Sequence, residues 1–171
     1  GLPRMVLARA MLDQPDLSSA LDVLQHSPRS GGFHFTLAQS GHDALVSVEF
    51  CAAVCSVQTI RHPSVHANHM VHAAHRDQPQ IVTGSSGHRQ IRGEEMLAAS
   101  AARGARIHPL DIMFDQDNVR FPIYRNARND SDNENTIATA VMQVNAQAVD
   151  WQIHVGQSQQ PLYRLRNNSL C

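Results

Sequence analysis

Residues 31–50 read GGFHFTLAQSGHDALVSVEF, and their pattern is that of two β-strands. Apolar residues recur at every second position over residues 33–37 and again over residues 45–50, as they do in strands with one buried face. A Ser-Gly pair between the two runs predicts a turn. The stretch therefore predicts an antiparallel hairpin, and we expect a third strand over residues 54–60.

Two helices are predicted before this hairpin. Residues 2–13 carry apolar side chains on most sides, with a proline that a first helical turn can hold, and so predict a largely buried helix. Asp16 is a suitable cap for a second helix, which should end before the Ser-Pro pair at residues 27–28. The apolar stripe of this second helix consists of Leu17, Leu21 and Leu24.

The remainder of the chain predicts one more helix and one more hairpin. A loop rich in glycine and serine at residues 83–87 precedes a helical stretch over about residues 89–102. Residues 130–135 predict a polar loop, and residues 136–155 predict a closing hairpin with its turn at residues 145–147. Because the helices are segregated from antiparallel strands, the fold class should be α+β, with helices packed on sheet.

Composition limits the classes of function. The chain has 171 residues, 42% of them hydrophobic, which suits a single unit spanning residues 1–171. A net charge of -1 gives no reason to expect a nucleic-acid partner, and no apolar run approaches the roughly 18 residues of a membrane span. All 14 basic residues are arginine, which excludes Schiff-base chemistry on lysine and phosphate binding by a P-loop lysine.

The three cysteines, Cys51, Cys55 and Cys171, suggest neither a disulfide framework nor a zinc knuckle. We therefore expect a reducing, cytoplasmic compartment. A spacing of four would place Cys51 and Cys55 on one face of a strand, where small buried cysteines are usually structural. A catalytic pair of Cys55 with His66 or His69 is the alternative, although no local signature supports it.

A histidine recurs every third or fourth residue in the middle of the chain. The series consists of His62, His66, His69, His72 and His75. Zinc would require a closed set of about four ligands in tetrahedral geometry, and prolines at both ends of the series oppose a continuous helix. We therefore expect surface and loop histidines rather than a metal site, and a metal-binding protein is the last-ranked alternative.

Two short segments suggest chemistry. The segment His66-Ala67-Asn68-His69 places an amide between two imidazoles, and the NH₂ of a fixed Asn68 can donate a hydrogen bond to a developing oxyanion without titrating. Nothing beside it resembles an activated nucleophile, so we expect the chain to hold part of an active site. Residues 85–89 combine a helix start with an arginine, which favours an anion such as a substrate carboxylate; a serine cap beside a surface arginine is the alternative.

Five segments, taken in order, resemble the isopenicillin-N acyltransferase-like family of N-terminal-nucleophile hydrolases, whose members make or break amide bonds. The similarity covers nearly the whole chain, and its most specific part is the His-X-Asn-His tetrad. The segments are the helix that begins Gly1-Leu2-Pro3, Val48-Glu49-Phe50, His66-Ala67-Asn68-His69, the helix start at residues 86–92 and the hairpin at residues 136–156.

The resemblance implies an αββα sandwich with antiparallel sheets and a cysteine nucleophile that autoproteolysis exposes, so that its own α-amino group acts as the base. In this family the cysteine lies well before the Gly-X-Pro helix, and the chain has no counterpart of it. Residues 1–171 are therefore expected to be the C-terminal part, a separate subunit or a truncated relative of such a hydrolase. The resemblance also assigns the oxyanion donor to Asn68, while Arg89 or Arg92 would stabilise the substrate or the helix.

Two classes of function follow. The first is an amidohydrolase or acyltransferase acting on linear amide bonds of a small molecule, with no cofactor apart from acyl-CoA as an acyl donor and with the N-terminal segment or subunit as its partner. The penicillin-forming relatives have an arginine just ahead of the closing hairpin, where this chain has Asn133 or a neighbour, which argues against β-lactam acyl transfer itself. The second class is a non-catalytic remnant or binding module that keeps the fold.

Overall fold

The structure is a computed structural model that describes residues 1–128, 133–167 and 169–171. The chain divides into two compact units, Gly1–Ile81 and Val82–Cys171, and each is described by itself. Both units combine helices with an antiparallel sheet, so the expected α+β class is confirmed. That the whole chain forms a single unit stays a prediction. Within the described residues, no helix is long and apolar enough to cross a membrane.

Two helices open the first unit: α1, Arg4–Leu12, and α2, Leu17–His26. The predicted cap of α2 is confirmed, because the side chain of Asp16 accepts a hydrogen bond from the amide of Ser19. The prediction that the first helix is largely buried is wrong, since only the face that packs on the core is covered. The buried residues of α1 are Leu7 and Met11, whereas Met5, Val6 and Leu12 are exposed.

The predicted hairpin and third strand are confirmed. They form an antiparallel sheet of β1, Phe33–Leu37, β2, Leu45–Phe50, and β3, Cys55–Ile60, with β2 in the middle. One face of β2 joins the hydrophobic core with its three apolar side chains, Val46, Val48 and Phe50. Alternation along the strand places Ser47 and Glu49 on the opposite face, where they too are buried.

The second unit begins with a long helix, α3, Gly84–Ala102. The prediction of a loop at residues 83–87 is wrong, because Thr83 accepts a hydrogen bond from the amide of Ser86 and so caps a helix that begins there. Gly84 lies so close to Phe121 that a Cβ on the glycine would be 3.0 Å from the ring. This glycine therefore permits close packing and does not break the helix.

A second helix of this unit, α4, Pro109–Met113, was not predicted. His108 and Asp111 form a reciprocal capping box: the His108 side chain accepts a hydrogen bond from the backbone, and the Asp111 side chain accepts one from the amide of His108. The proline at the first helical position is the signal that could have revealed it. The helix has only 5 residues, which is too short for hydrophobic periodicity.

The sheet of the second unit has four antiparallel strands, each paired with the next along the chain. The closing hairpin is confirmed, although its first strand begins at Thr139 rather than at residue 136. The last two strands were not predicted. The four strands are β4, Thr139–Val144, β5, Val149–His154, β6, Tyr163–Arg166, and β7, Ser169–Leu170. The predicted polar loop at residues 130–135 lies partly outside the described residues.

Candidate active site

Asn68 lies in the first unit, in a segment without regular secondary structure between β3 and a short 3₁₀ helix, Ala73–His75. The residue is exposed, and the chain bends at Asn68 and His69. No helix or strand fixes this bend. Contacts made by the residues on either side therefore help to fix its position.

Glu49 binds this segment on both sides of the asparagine. Its carboxylate is fully buried and accepts hydrogen bonds from Nε2 of His66 at 2.6 Å and from the amide of Val71 at 2.6 Å. It also accepts one from the amide of His72 at 2.8 Å. The backbone carbonyl of Glu49 accepts a further hydrogen bond from Nε2 of His75 at 3.0 Å. A single residue of β2 thus holds three positions of the segment and the 3₁₀ helix that follows it.

The ring of His66 lies between the carboxylate of Glu49 and the backbone of Ala67. Its Nε2 faces the carboxylate of Glu49, and its Nδ1 lies 2.8 Å from the carbonyl oxygen of Ala67. Both ring nitrogens of His66 thus face oxygen acceptors, and its Nε2 lies within ion-pair distance of the Glu49 carboxylate. Burial raises the pKa of Glu49, but the hydrogen bonds from His66, Val71 and His72 outweigh it and lower this pKa to about 2.

A chain of hydrogen bonds crosses the same face of the sheet. The Oγ of Ser47 lies 2.9 Å from Nε2 of His34 and 2.9 Å from Nε2 of His72. The Nδ1 of His72 lies 2.9 Å from Oγ of Ser56. The His34 ring stacks on that of His66, with the ring centroids 3.5 Å apart. Burial and the charge of His66 lower the pKa of His34 to about 4, and burial also lowers the pKa of His72, so both rings are neutral near pH 7.

The prediction of surface and loop histidines is wrong for His72 and His75, which are buried. The physical reason is that Ser47 and Glu49 give these rings polar partners inside the unit. Residues that hydropathy assigns to the surface can then be buried. Within the part of the chain that the structure describes, no three histidine, cysteine or acidic side chains are arranged to hold a metal ion.

Cys51 and Cys55 flank the turn between β2 and β3, so the prediction that they share one strand face is wrong. The Sγ of Cys51 accepts a hydrogen bond from the amide of Val54 at 3.3 Å, and Cys55 packs against the core. Burial raises the pKa of the Cys55 thiol, which keeps it protonated and weakly nucleophilic at neutral pH. These contacts support a structural role for both cysteines.

The two predicted substrate-binding residues, Arg89 and Arg92, lie on α3 in the second unit. The Nε of Arg89 donates a hydrogen bond to Oγ of Ser85 at 3.2 Å. Arg92 donates two hydrogen bonds to the carboxylate of Asp115, at 3.0 and 2.7 Å, and its Nη1 lies 3.3 Å from Oδ2 of Asp117. These ion pairs tie α3 to the chain that follows α4.

Two polar residues of these sites were missed from the sequence, Glu49 and Arg125. The side chain of Arg125 is 7% exposed; its Nη1 donates a hydrogen bond to Oγ of Ser85 at 3.0 Å and lies 3.4 Å from the carboxylate of Glu134. No local pattern distinguishes this arginine from a surface one. For Glu49 the available signal was an acidic residue inside an apolar strand, followed by a run of histidines.

The sequence was compared with protein-family models, curated proteins and solved structures. The family model for acyl-coenzyme A:6-aminopenicillanic acid acyl-transferase matches residues 1–159. The chain belongs to this family. The match confirms the resemblance drawn from the five segments, and membership indicates an enzyme of the acyltransferase or hydrolase kind. Searches of curated proteins and of solved structures gave no match.

Proposed function

We propose that the chain is the C-terminal part of a cysteine amidohydrolase or acyltransferase with an N-terminal nucleophile, and that Asn68 donates a hydrogen bond to the oxyanion. The observation that carries this proposal is the family match over residues 1–159, which includes Asn68 on its exposed bend. A side-chain amide suits the task because its NH₂ donates without titrating. The helices and sheets would then form part of an αββα sandwich.

The nucleophile in this proposal is a cysteine that precedes the Gly1-Leu2-Pro3 segment in the complete enzyme. Its sulfur attacks the carbonyl carbon of a linear amide while its own α-amino group takes the thiol proton, and Asn68 donates to the resulting oxyanion. Collapse of this tetrahedral intermediate expels the amine, which receives that proton, and leaves a thioester on the cysteine. Water or a second amine then attacks the thioester and releases an acid or a new amide.

The Cys55 thiol is a poor candidate for the nucleophile. Burial raises the pKa of Cys55, whereas a nucleophilic cysteine needs a lowered one. Acyl-CoA would serve as an alternative acyl donor, since a thioester exchanges with a cysteine thiolate by the same steps. No other cofactor is needed for this chemistry.

The two arginines of α3 receive different roles in the proposal. Asp115 and Asp117 balance the charge of Arg92, which supports a role in stabilising the helix. We assign contact with a polar group of the substrate to Arg89, whose Nε donates a hydrogen bond to Ser85 in the first turn of α3.

The substitution Asn68→Ala in the complete enzyme tests the proposal. Loss of an oxyanion donor should lower kcat by about a hundredfold or more and leave KM nearly unchanged, because the interaction exists only in the transition state. The assay uses acyl-CoA with 6-aminopenicillanic acid and, in parallel, a panel of linear N-acyl amides. Gln58→Ala, which removes an exposed amide from β3, is the matched control and should keep wild-type kcat. An unchanged kcat in a folded Asn68→Ala variant would contradict the assignment of Asn68 as the oxyanion donor.

A further inference from the structure

The proposed chemistry requires Asn68 to be held in place, and no helix or strand contains it. The residue lies on an exposed bend outside any helix or strand. A donor to an oxyanion must be fixed to within about 0.5 Å of its working position. The contacts that hold the bend should therefore affect the reaction rate.

Glu49 is placed to fix this bend from both ends. On one side of Asn68, Oε1 of Glu49 accepts a hydrogen bond from the ring of His66. On the other side, the carboxylate accepts hydrogen bonds from the backbone amides of Val71 and His72. Hydrogen bonds to amides fix the path of the chain itself, and a charged acceptor makes each of them roughly twice as strong as a neutral one would.

Glu49 lies in regular secondary structure, unlike the bend. It lies on the central strand of its sheet, where its backbone is paired with His34 of β1 on one side and with Ser56 of β3 on the other. Its side chain is fully buried, so solvent does not compete for the carboxylate. The sheet therefore provides the fixed reference to which the bend is tied.

We infer that Glu49 is a positioning residue that acts through Asn68, holding the bend so that the amide reaches the oxyanion. This inference rests on the function proposed above. Gln80 makes a second, exposed contact with the same bend. Its Oε1 accepts a hydrogen bond from the amide of Met70 at 2.9 Å, and its Nε2 donates one to the carbonyl of Met70 at 3.0 Å.

The test compares Glu49→Gln, Asn68→Ala and the double variant in the complete enzyme, with the substrates named above. Glu49→Gln keeps the shape of the side chain but replaces one acceptor oxygen by an NH₂ that opposes a backbone amide. We expect kcat to fall roughly tenfold to a hundredfold with KM unchanged, as for a misplaced catalytic group. In the Asn68→Ala background, the same substitution should cost no further activity.

Two further variants keep the comparison interpretable. Val48→Ala removes a fully buried side chain from the opposite face of β2, so it destabilises the unit without touching the bend. Below its unfolding temperature it should keep wild-type kcat. If Glu49→Gln does not fold, Gln80→Ala replaces it: kcat should fall several-fold with KM unchanged, and only when Asn68 is present.

The outcomes separate this inference from the proposed function. If Asn68→Ala lowers kcat but Glu49→Gln does not, or if the two losses add in full, the positioning role is overturned and the proposed function stands. If Asn68→Ala keeps kcat, the proposed function fails. Amide hydrogen exchange at Val71 and His72 then shows whether Glu49 holds the bend. Faster exchange in Glu49→Gln supports the conclusion that Glu49 holds the bend, and unchanged exchange overturns it.

Discussion

At the scale of single residues, the first unit buries the carboxylate of Glu49 completely. Taking a charge out of water costs several kcal/mol, and a well-packed apolar side chain would often be as stable. Stability alone does not account for it. The carboxylate accepts three hydrogen bonds from the segment of residues 66–72. These directional contacts attach the segment to the sheet, which no apolar side chain could do.

The same residues predict that the first unit loses stability in acid. His34 faces His66, Glu49 and His72, and folding lowers its pKa from 6.5 to about 4. Between these pH values the unfolded chain binds more protons than the folded one, so stability falls as the pH falls. Folding also lowers the pKa of Glu49 from 4.5 to about 2, which extends the loss toward pH 2. We expect a loss on the order of 2 kcal/mol between pH 7 and pH 4.

Hydrogen exchange of the β2 amides measures this loss, because the only tryptophan, Trp151, lies in the second unit. His34→Gln should flatten the pH dependence between about pH 6.5 and pH 4. The matched control is His62→Gln, which replaces an exposed histidine and should leave the dependence as it is. Equal stability of the first unit at pH 7 and pH 4 would contradict the prediction.

At the scale of elements, the sequence predicted those helices and strands that hydrophobic periodicity or a capping residue marks. The strands of the first hairpin show a clear period of two, and Asp16 is a strong cap, so β1, β2 and α2 were found. The first turn of α3 was missed because glycine and serine are typical of loops. Here the cap at Thr83 and the close contact of Gly84 with Phe121 outweigh low helix propensity.

The beginning of α3 should therefore depend on its cap. Thr83→Ala removes the acceptor for the amide of Ser86 and should destabilise the second unit by about 1 kcal/mol. Urea unfolding followed by Trp151 fluorescence measures the change. Thr83→Ser keeps the hydroxyl and should stay close to wild type. If the alanine and serine variants were equally stable, the helix would not need this cap.

At the scale of the whole molecule, the order of motifs along the chain predicted the family, and the tetrad predicted Asn68 as the site residue to test. The contacts that hold the bend could not be predicted in the same way. Glu49 and Arg125 act on residues that are distant in sequence, and only the paired strands and the packed helix bring these partners together. The acidic position inside an apolar strand marks Glu49 itself, but the partners of both residues are set by tertiary structure and have no local signal.

The 171-residue chain expressed without a preceding segment should show no amidase or acyltransferase activity and should aggregate. Within the described residues, β1 and β3 are edge strands of their sheet, and Met5, Val6 and Leu12 leave an apolar face of α1 exposed. Adding the preceding segment that the proposed function requires, in cis or as a second chain, should restore both solubility and activity. The measurement is turnover of N-acyl amides together with size-exclusion chromatography.

The most direct measurement is the position of the acyl group on the enzyme. The complete protein is incubated with acyl-CoA, quenched in acid and digested, and the acylated residue is located by mass spectrometry. We predict acylation of a cysteine at a newly formed N-terminus before residue 1, no acylation of Cys51, Cys55 or Cys171, and much slower acylation in Asn68→Ala. An acyl group on Cys51 or Cys55, formed at the rate of turnover and lost with activity when that cysteine is replaced by alanine, would contradict the proposed mechanism.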